Sequence, residues 1–264
     1  MNFPSQSHKQ PFVAGEVALV GAGSGDPELL TIQAYRFIQQ AEVVVYDRLV
    51  SDEIMALLPS GCERIYVGKM QGQHRVSQTG INEILVEQAQ RNKKVVRLKG
   101  GDSLIFGRGS EEAQVLLDNG VACHIVPGLT AASACTSYAG IPLTHRQRAR
   151  SCTLITGHVK DCGELVLPWD ALANDEQTIV IYMGVTTLNQ TSEKLIAAGR
   201  DKDTPAAIIR HGTRKDQEVV TGTLSTLPGL AQAAGIKPPS LIVVGKVVDV
   251  FEPHHLKNLG YLAP

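Results

Sequence analysis

The sequence lacks any apolar run approaching the length of a membrane span. Its first fifteen residues, with Ser5, Gln6, Ser7, His8, Lys9 and Gln10, also lack the apolar centre of a secretion signal. On that reading no membrane association is expected, and the expected location is the cytoplasm. Net charge is nearly absent too: 25 Lys and Arg face 26 Asp and Glu, a formal charge of −1 at pH 7. No global field therefore draws nucleic acid or an anionic membrane, and any attraction for an anion must come from a local cluster. There is no Cys-x-x-Cys pair among the five cysteines Cys62, Cys123, Cys135, Cys152 and Cys162. That odd count fits buried thiols in a reducing compartment rather than disulfides or a structural zinc. His254 and His255 are adjacent near the end of the chain, a spacing that suits a solvated tail, and no metal is expected. A repeat of fixed period and a low-complexity tract are also missing, which argues against a solenoid.

What is present is a chain of 264 residues with 43% hydrophobic content, enough for one large core or two medium ones. Apolar, β-branched runs recur at Val17 to Val20, Val43 to Tyr46, Ile65 to Val67, Val95 to Leu98, and Ile125 with Val126. Helical patterns separate them. One is expected to begin near Pro27, with Leu30, Ala34, Phe37, Ile38 and Ala41 on one face, and another follows Ser77 or Thr79. Gly120 and Gly140 read as helix stops. The second half repeats the alternation with strands at Thr153 to Thr156, Thr178 to Met183, Ala206 to Ile209, Val219 to Leu224 and Leu241 to Val244, and with helix stops at Gly199 and Gly235. The expected architecture is therefore α/β, in two different α/β domains. These are residues 15–128, which carry the glycine-rich loops, and residues 129–252, with 1–14 and 253–264 as tails. A ligand cleft between the domains is expected, near the stretch from Pro127 to Arg150.

Two glycine-rich turns follow strand-like runs, Val17-Ala-Leu-Val-Gly-Ala-Gly-Ser-Gly-Asp26 and Val95-Val-Arg-Leu-Lys-Gly-Gly-Asp102. Both offer bare backbone to a small ligand. The first resembles a dinucleotide turn, and Asp47 follows at about the spacing of a ribose-binding acid. Asp26, however, would repel a pyrophosphate resting on the helix N-terminus, and a ligand without phosphate removes that objection. The alternative for these glycines is a tight strand-to-helix turn with no ligand, and for Asp102 or Ser103 a helix cap. Positive charge concentrates in Thr144-His-Arg-Gln-Arg-Ala-Arg150. An extended segment would place Arg146, Arg148 and Arg150 on one side, as a strip for a polycarboxylate or phosphate, whereas a solvated loop is the plainer reading. Arg108 sits between Gly107 and Gly109, which leaves its side chain room to enter a cleft. Lys69 closes a strand, and by itself reads as a surface lysine.

Taken in order, the motifs Val-Gly-Ala-Gly-x-Gly-Asp26, Val-Val-Tyr-Asp47-Arg-Leu-Val-Ser, Val-Gly-Lys69, Val-Val-Arg-Leu-Lys-Gly-Gly-Asp102, Ile-Phe-Gly-Arg108-Gly-x-Glu-Glu, Val-Pro-Gly-x-Thr130-Ala-Ala-Ser, Gly-Ile-Pro-Leu-Thr-His-Arg146 and Tyr-Met183-Gly extend the resemblance from about Gly15 to Val250. The sequence resembles the uroporphyrinogen-III C-methyltransferases of the tetrapyrrole methylase family. The resemblance implies a class III methyltransferase fold, a homodimer, and S-adenosylmethionine bound folded in the cleft between the domains. S-adenosylhomocysteine would be the product. It implies two methylations of uroporphyrinogen III, via precorrin-1 to precorrin-2, feeding sirohaem, cobalamin or haem d1. Carried over residue by residue, Asp47 would be the proton acceptor and Lys69 the proton donor. Ser24, Gly100, Gly101, Asp102, Ile105, Thr130, Ala131, Met183 and Gly212 would bind the cofactor, while Arg108, Glu111 and Arg146 would contact the tetrapyrrole. The substrate is rich in carboxylates, which arginines would offset.

The chain departs from the family pattern in three places: Ser24 stands for proline, Ser103-Leu104 for Pro-Phe, and Ser110 for glycine. Against fused siroheme synthases the resemblance implies a stand-alone methyltransferase. The competing readings are a superfamily member acting on ribosomal RNA or a protein histidine, a non-catalytic binder of S-adenosylmethionine, and a nicotinamide dehydrogenase. Near-neutral charge opposes the first, the presence of Asp47, Lys69 and Arg108 the second, and Asp26 the third. Neither nucleic acid nor membrane is an expected partner.

Overall fold

The computed structural model describes residues 11–68, 76–159 and 165–251. They form two compact units: one holds the chain up to Ala22 together with Leu30–Gly128, and the other holds Gly23–Leu29 with the chain from Leu129 onward.

In the first unit the order is β1 (Val17–Gly21), α1 (Ile32–Ile38), β2 (Val43–Tyr46), α2 (Asp52–Met55), β3 (Glu63–Tyr66), α3 (Gln78–Gln90), β4 (Val95–Lys99), α4 (Gly109–Asp118) and β5 (Cys123–Val126). The five strands form one sheet in the order β3-β2-β4-β1-β5, and every pairing is parallel. A parallel sheet is covered on both faces, which is why β1 and β4 are buried at every position. Alternate residues go to opposite faces. Ala18, Val20, Val44, Val96 and Leu98 pack with Ala34, Ile38 and Ile54 of α1 and α2, whereas Val17, Leu19, Val43, Val45 and Val95 pack with Ile81, Leu85 and Leu116 of α3 and α4. Chain leaving β1 thus covers one face, and chain leaving its neighbour β4 covers the other. The carboxyl ends of β1 and β4 are therefore a topological switch point, where such sheets bind ligands.

The helix expected from Pro27 begins later. Pro27–Leu29 is a single 3-10 turn, and α1 starts after Thr31, whose hydroxyl caps it by accepting from the Ala34 amide at 3.0 Å. Ser77 caps α3 in the same way, accepting from Gly80 at 3.0 Å. Phe12 is buried and packs its ring on Phe37 and His124, so the chain at Phe12 joins the core.

The second unit contains α5 (Ala131–Tyr138), β6 (Ser151–Thr156), α6 (Trp169–Leu172), β7 (Gln177–Tyr182), α7 (Leu188–Ala197), β8 (Pro205–Arg210), β9 (Glu218–Thr223), α8 (Leu227–Ala233) and β10 (Ser240–Val244). Its sheet runs β6-β7-β10-β8-β9; only β6 and β7 are parallel, and the other pairings are antiparallel. Ile179, Ile181, Ile208 and Ile242 face Leu195 and Leu227, while Val180, Ala207, Leu241 and Val243 face Ala132 and Cys135. Gly199 ends α7 at φ +100 and Gly235 ends α8 at φ +64, the left-handed conformation that closes a helix at little cost in glycine.

Cys62, Cys123, Cys135 and Cys152 are free thiols. Burial pushes Cys123 and Cys135 up to about 11 and also raises Cys62 and Cys152, so all four stay protonated at neutral pH. Cys162, His254 and His255 lie outside the described residues.

Candidate active site

At the carboxyl edge of the parallel sheet, the ends of β1, β4 and β5 meet backbone to backbone. A Cβ on Gly21 would lie 2.5 Å from the Gly128 nitrogen and 2.7 Å from the Gly101 carbonyl, and one on Gly128 would lie 2.4 Å from that same carbonyl. Glycine is thus demanded here by chain packing itself. Gly100 makes room for Leu49, whose Cβ would stand 2.6 Å from an added Cβ. Asp102 ties two of the loops together: Oδ1 accepts from the Leu104 amide at 2.8 Å and Oδ2 from the Gly128 amide at 3.1 Å. It caps no helix, because α4 begins only at Gly109.

Asp47 follows β2 at the same edge. Its Oδ1 accepts from the Leu49 amide at 3.0 Å and its Oδ2 from Arg97 Nη2 at 3.1 Å, and its side chain remains 25% exposed. Arg97 belongs to a buried cluster with Lys99 and Glu112. Lys99 Nζ lies 2.8 Å from Glu112 Oε1, Arg97 Nε lies 3.4 Å from it, and Gln78 Nε2 donates to it at 3.1 Å. Burial, then the neighbouring Arg97, pushes the Lys99 ammonium below its ordinary value. Sequence reasoning singled out Asp47 but not this cluster. The signal was available: two cations at alternate positions of an apolar strand share a face and need a buried anion.

Arg108 takes the left-handed conformation, φ +58, just before α4, and Phe106 does so at φ +51. Chain packing also demands the flanking glycines. Cβ atoms on Gly107 and Gly109 would strike the Ser103 carbonyl at 2.7 and 2.4 Å, so these glycines let α4 start against Ser103. The Arg108 guanidinium forks onto Glu111, with Nε to Oε1 at 2.9 Å and Nη2 to Oε2 at 2.6 Å. That bidentate bond raises Arg108 and lowers Glu111 from their ordinary values. Ile105 is half-buried in the same loop.

In the second unit, Ser24 Oγ and Thr213 Oγ1 are 3.1 Å apart, and the Asp26 amide donates to Thr213 Oγ1 at 3.3 Å. Asp26 Oδ2 accepts from Tyr138 at 2.8 Å, and Oδ1 accepts from the Glu28 amide at 2.8 Å. Thr130 Oγ1 lies 2.5 Å from the Tyr182 hydroxyl, which also accepts from the Ala132 amide at 2.9 Å; Ala131 opens α5 between them. Just beyond β7 and β8, Met183, His211 and Thr213 are all left-handed, at φ +55, +48 and +69. Such backbone costs on the order of 1 kcal/mol or more for each non-glycine residue and concentrates at functional sites. Gly212 sits between two of them, where a Cβ would be 2.4 Å from Cys135 Sγ. Met183 is exposed although it follows a buried strand.

The family model for Tetrapyrrole (Corrin/Porphyrin) Methylases matches residues 16–228. The chain belongs to the tetrapyrrole methylases. Siroheme synthase of Methylobacillus flagellatus is 52% identical over 250 residues, covering 95% of this chain and 52% of that protein. The chain thus spans about half the length of the curated relatives it matches. Uroporphyrin-III C-methyl transferase from Thermus thermophilus, solved with S-adenyl homocysteine, superposes with a TM-score of 0.76 at 38% identity over 89% of this chain and 100% of that one. Cobalt precorrin-4 methyltransferase gives a TM-score of 0.79 at 27% identity over 89% and 96% of the two chains. The fold is the class III methyltransferase fold of these neighbours.

In this methylase the arginine-rich segment is not the extended strip that its alternation suggests. His145 bridges Ala149 across a tight turn, with amide-to-carbonyl bonds of 2.9 Å in both directions. The turn sends the arginines to different places: Arg148 pairs with Asp249, Arg150 pairs with Glu176 at 2.6 Å, and Arg146 lies exposed at the tip. Lys69 lies outside the described residues. Of the departures from the family pattern, Ser110 is exposed and Ser24 is bonded to Thr213, but the Ser103 hydroxyl is fully buried with no partner among the described residues. Proline, which the family resemblance implies at that position, has no hydroxyl to desolvate. Ser103→Ala should therefore stabilise the methylase by about 1 kcal/mol, read as a higher urea midpoint with an unchanged slope. A lower midpoint would mean that the hydroxyl has a partner.

Proposed function

We propose that this chain is an S-adenosylmethionine-dependent C-methyltransferase that methylates uroporphyrinogen III twice, via precorrin-1, to precorrin-2, as a cytoplasmic homodimer. The observation that carries the reading is the Asp47 carboxylate, fixed at both oxygens and still partly exposed at the carboxyl edge of the parallel sheet. The likeness to the Thermus thermophilus enzyme over that chain's full length supports it.

S-adenosylmethionine would supply a methyl group activated on a sulfonium sulfur for transfer to an electron-rich pyrrole carbon, with S-adenosylhomocysteine as the leaving group. Ser24, Gly100, Gly101, Asp102, Ile105, Thr130, Ala131, Met183 and Gly212 would hold the methyl donor. Most of that set is hydroxyl, thioether and backbone, which suits a sulfonium ligand without phosphate. Holding the reactants in line supplies most of the acceleration. Asp47 accepts the proton that leaves the methylated ring, and Lys69 is the matching donor. Arg108, Glu111 and Arg146 grip the tetrapyrrole, and Arg108 exchanges Glu111 for a ring carboxylate, since its fork suits either.

Anaerobic incubation with uroporphyrinogen III and S-adenosylmethionine, followed by mass analysis, should find two added methyl groups on the tetrapyrrole. An unmethylated tetrapyrrole would overturn the proposal. Arg108→Ala and Arg146→Ala should each lower kcat/KM for the tetrapyrrole about tenfold to a hundredfold, the range for one charge-assisted contact, without weakening S-adenosylhomocysteine binding. Lysine should restore only part of it. Full activity in both alanine variants would return these residues to the solvated surface.

A further inference from the structure

The buried cluster beneath Asp47 has an imbalance that explains its shape. Arg97 and Lys99 are 3% and 5% exposed, and among the described residues the one wholly buried carboxylate offered to them is Glu112, at 0%. Both cations and Gln78 converge on a single oxygen of it, Oε1, while Oε2 has no partner among the described residues. Two desolvated cations on one anion are costly. The second anion within reach is Asp47, and Arg97 Nη2 turns to it at 3.1 Å.

The guanidinium has little freedom to do otherwise. Its Nη1 donates to the Leu98 carbonyl at 2.8 Å and lies 3.4 Å from the Val45 carbonyl, while Nε faces Glu112 at 3.4 Å. Val45 and Arg97 are register partners in the parallel β2–β4 ladder, so the sheet itself sets where Nη2 points. We propose that Arg97, locked by Glu112 of α4 and the carbonyls of β2 and β4, is a positioning residue that aims the Asp47 carboxylate at the proton it accepts. This rests on the reading of Asp47 as proton acceptor given above. One Asp47 oxygen is fixed by Arg97 and the other by the Leu49 amide, so the carboxylate cannot rotate without breaking a bond to a buried cation. Proton transfer depends on such placement, and a misplacement near 1 Å is worth about a hundredfold in rate.

The test is a mutant cycle on the full chain, read by single-turnover and steady-state methylation of uroporphyrinogen III, with S-adenosylhomocysteine titration and thermal unfolding alongside. Arg97→Lys keeps the charge but cannot reach Glu112, the carbonyls and Asp47 at once. It should lower kcat by about tenfold to a hundredfold, leaving KM for the tetrapyrrole and affinity for S-adenosylhomocysteine within about twofold. In the Asp47→Asn background the same change should cost less than about twofold, because a residue acting through Asp47 has nothing left to aim. Glu112→Asp, which keeps all four charges and withdraws the anion from Arg97, should repeat the pattern with a smaller fall. It decides the matter alone if Arg97→Lys does not fold. An undiminished kcat, an equal loss with and without Asp47, or a loss confined to S-adenosylhomocysteine affinity would overturn the inference. Undiminished turnover in Asp47→Asn itself would instead overturn the proton-acceptor reading on which it rests.

Discussion

Asp47→Asn should lower turnover by about two to four orders of magnitude, the usual contribution of a positioned acid or base, while S-adenosylhomocysteine binds as before. Asparagine keeps the volume of the side chain, and its carbonyl oxygen can still accept from the Leu49 amide, which the native Oδ1 does at 3.0 Å. What it loses is the capacity to take a proton. It also deprives Arg97 of an anion at 3.1 Å, so stability falls as well and turnover must be compared well below the melting range. The decisive quantity is the single-turnover rate with both substrates saturating, since a defect confined to KM would mean that Asp47 holds substrate rather than moving protons. A rate within threefold of the parent would remove Asp47 from the chemistry.

The α/β alternation was legible because β1, β2 and β4 are buried on both faces, so their sequences are nearly unbroken apolar runs. Where burial is one-sided or partial the pattern weakens. The β3 strand carries exposed Glu63 and Arg64 at its start, and the expected segment began later, at Ile65. Helices α2 and α6 have four residues each, too few to show a helical period. Strand direction left no trace in composition: antiparallel β8, β9 and β10 read no differently from parallel strands.

The candidate site was legible where local sequence determines it, in the strand-end glycines and in Asp47. Two of its features have physical causes that local sequence does not show. Gly107 and Gly109 also answer to the Ser103 carbonyl, and the alternating arginines are divided by the turn from His145 to Ala149. Partners distant in sequence were not legible: Tyr138 with Asp26 and Tyr182 with Thr130 are separated by 112 and 52 residues. Glu111 and Glu112 are adjacent and chemically identical, yet one pairs with Arg108 at the surface and the other is wholly buried. Only the phase of α4 against the sheet separates their roles.

That phase makes Glu112 the position whose loss should be felt most in the fold. Glu112→Gln leaves Arg97 and Lys99 buried with the amide, and removing one partner of a buried ion pair destabilises by about 3–5 kcal/mol. Urea unfolding at neutral pH should show it as a large fall in midpoint. The loss should also depend on pH, with a definite sign. Burial and Arg97 already lower Lys99 from its ordinary 10.5, with Glu112 and Asp47 as the opposing influences. A group whose proton is held less tightly in the folded state penalises folding while it is protonated, and the penalty is relieved as pH rises from its folded value toward 10.5. Removing the Glu112 charge lowers Lys99 further and widens that window from below. The variant should therefore gain stability on the parent as pH rises toward 10.5. Adding Lys99→Met should recover part of the neutral-pH loss and abolish this slope, because one excess cation is gone. A Glu112→Gln midpoint equal to the parent's would mean that the cluster is open to water and that neither cation depends on Glu112.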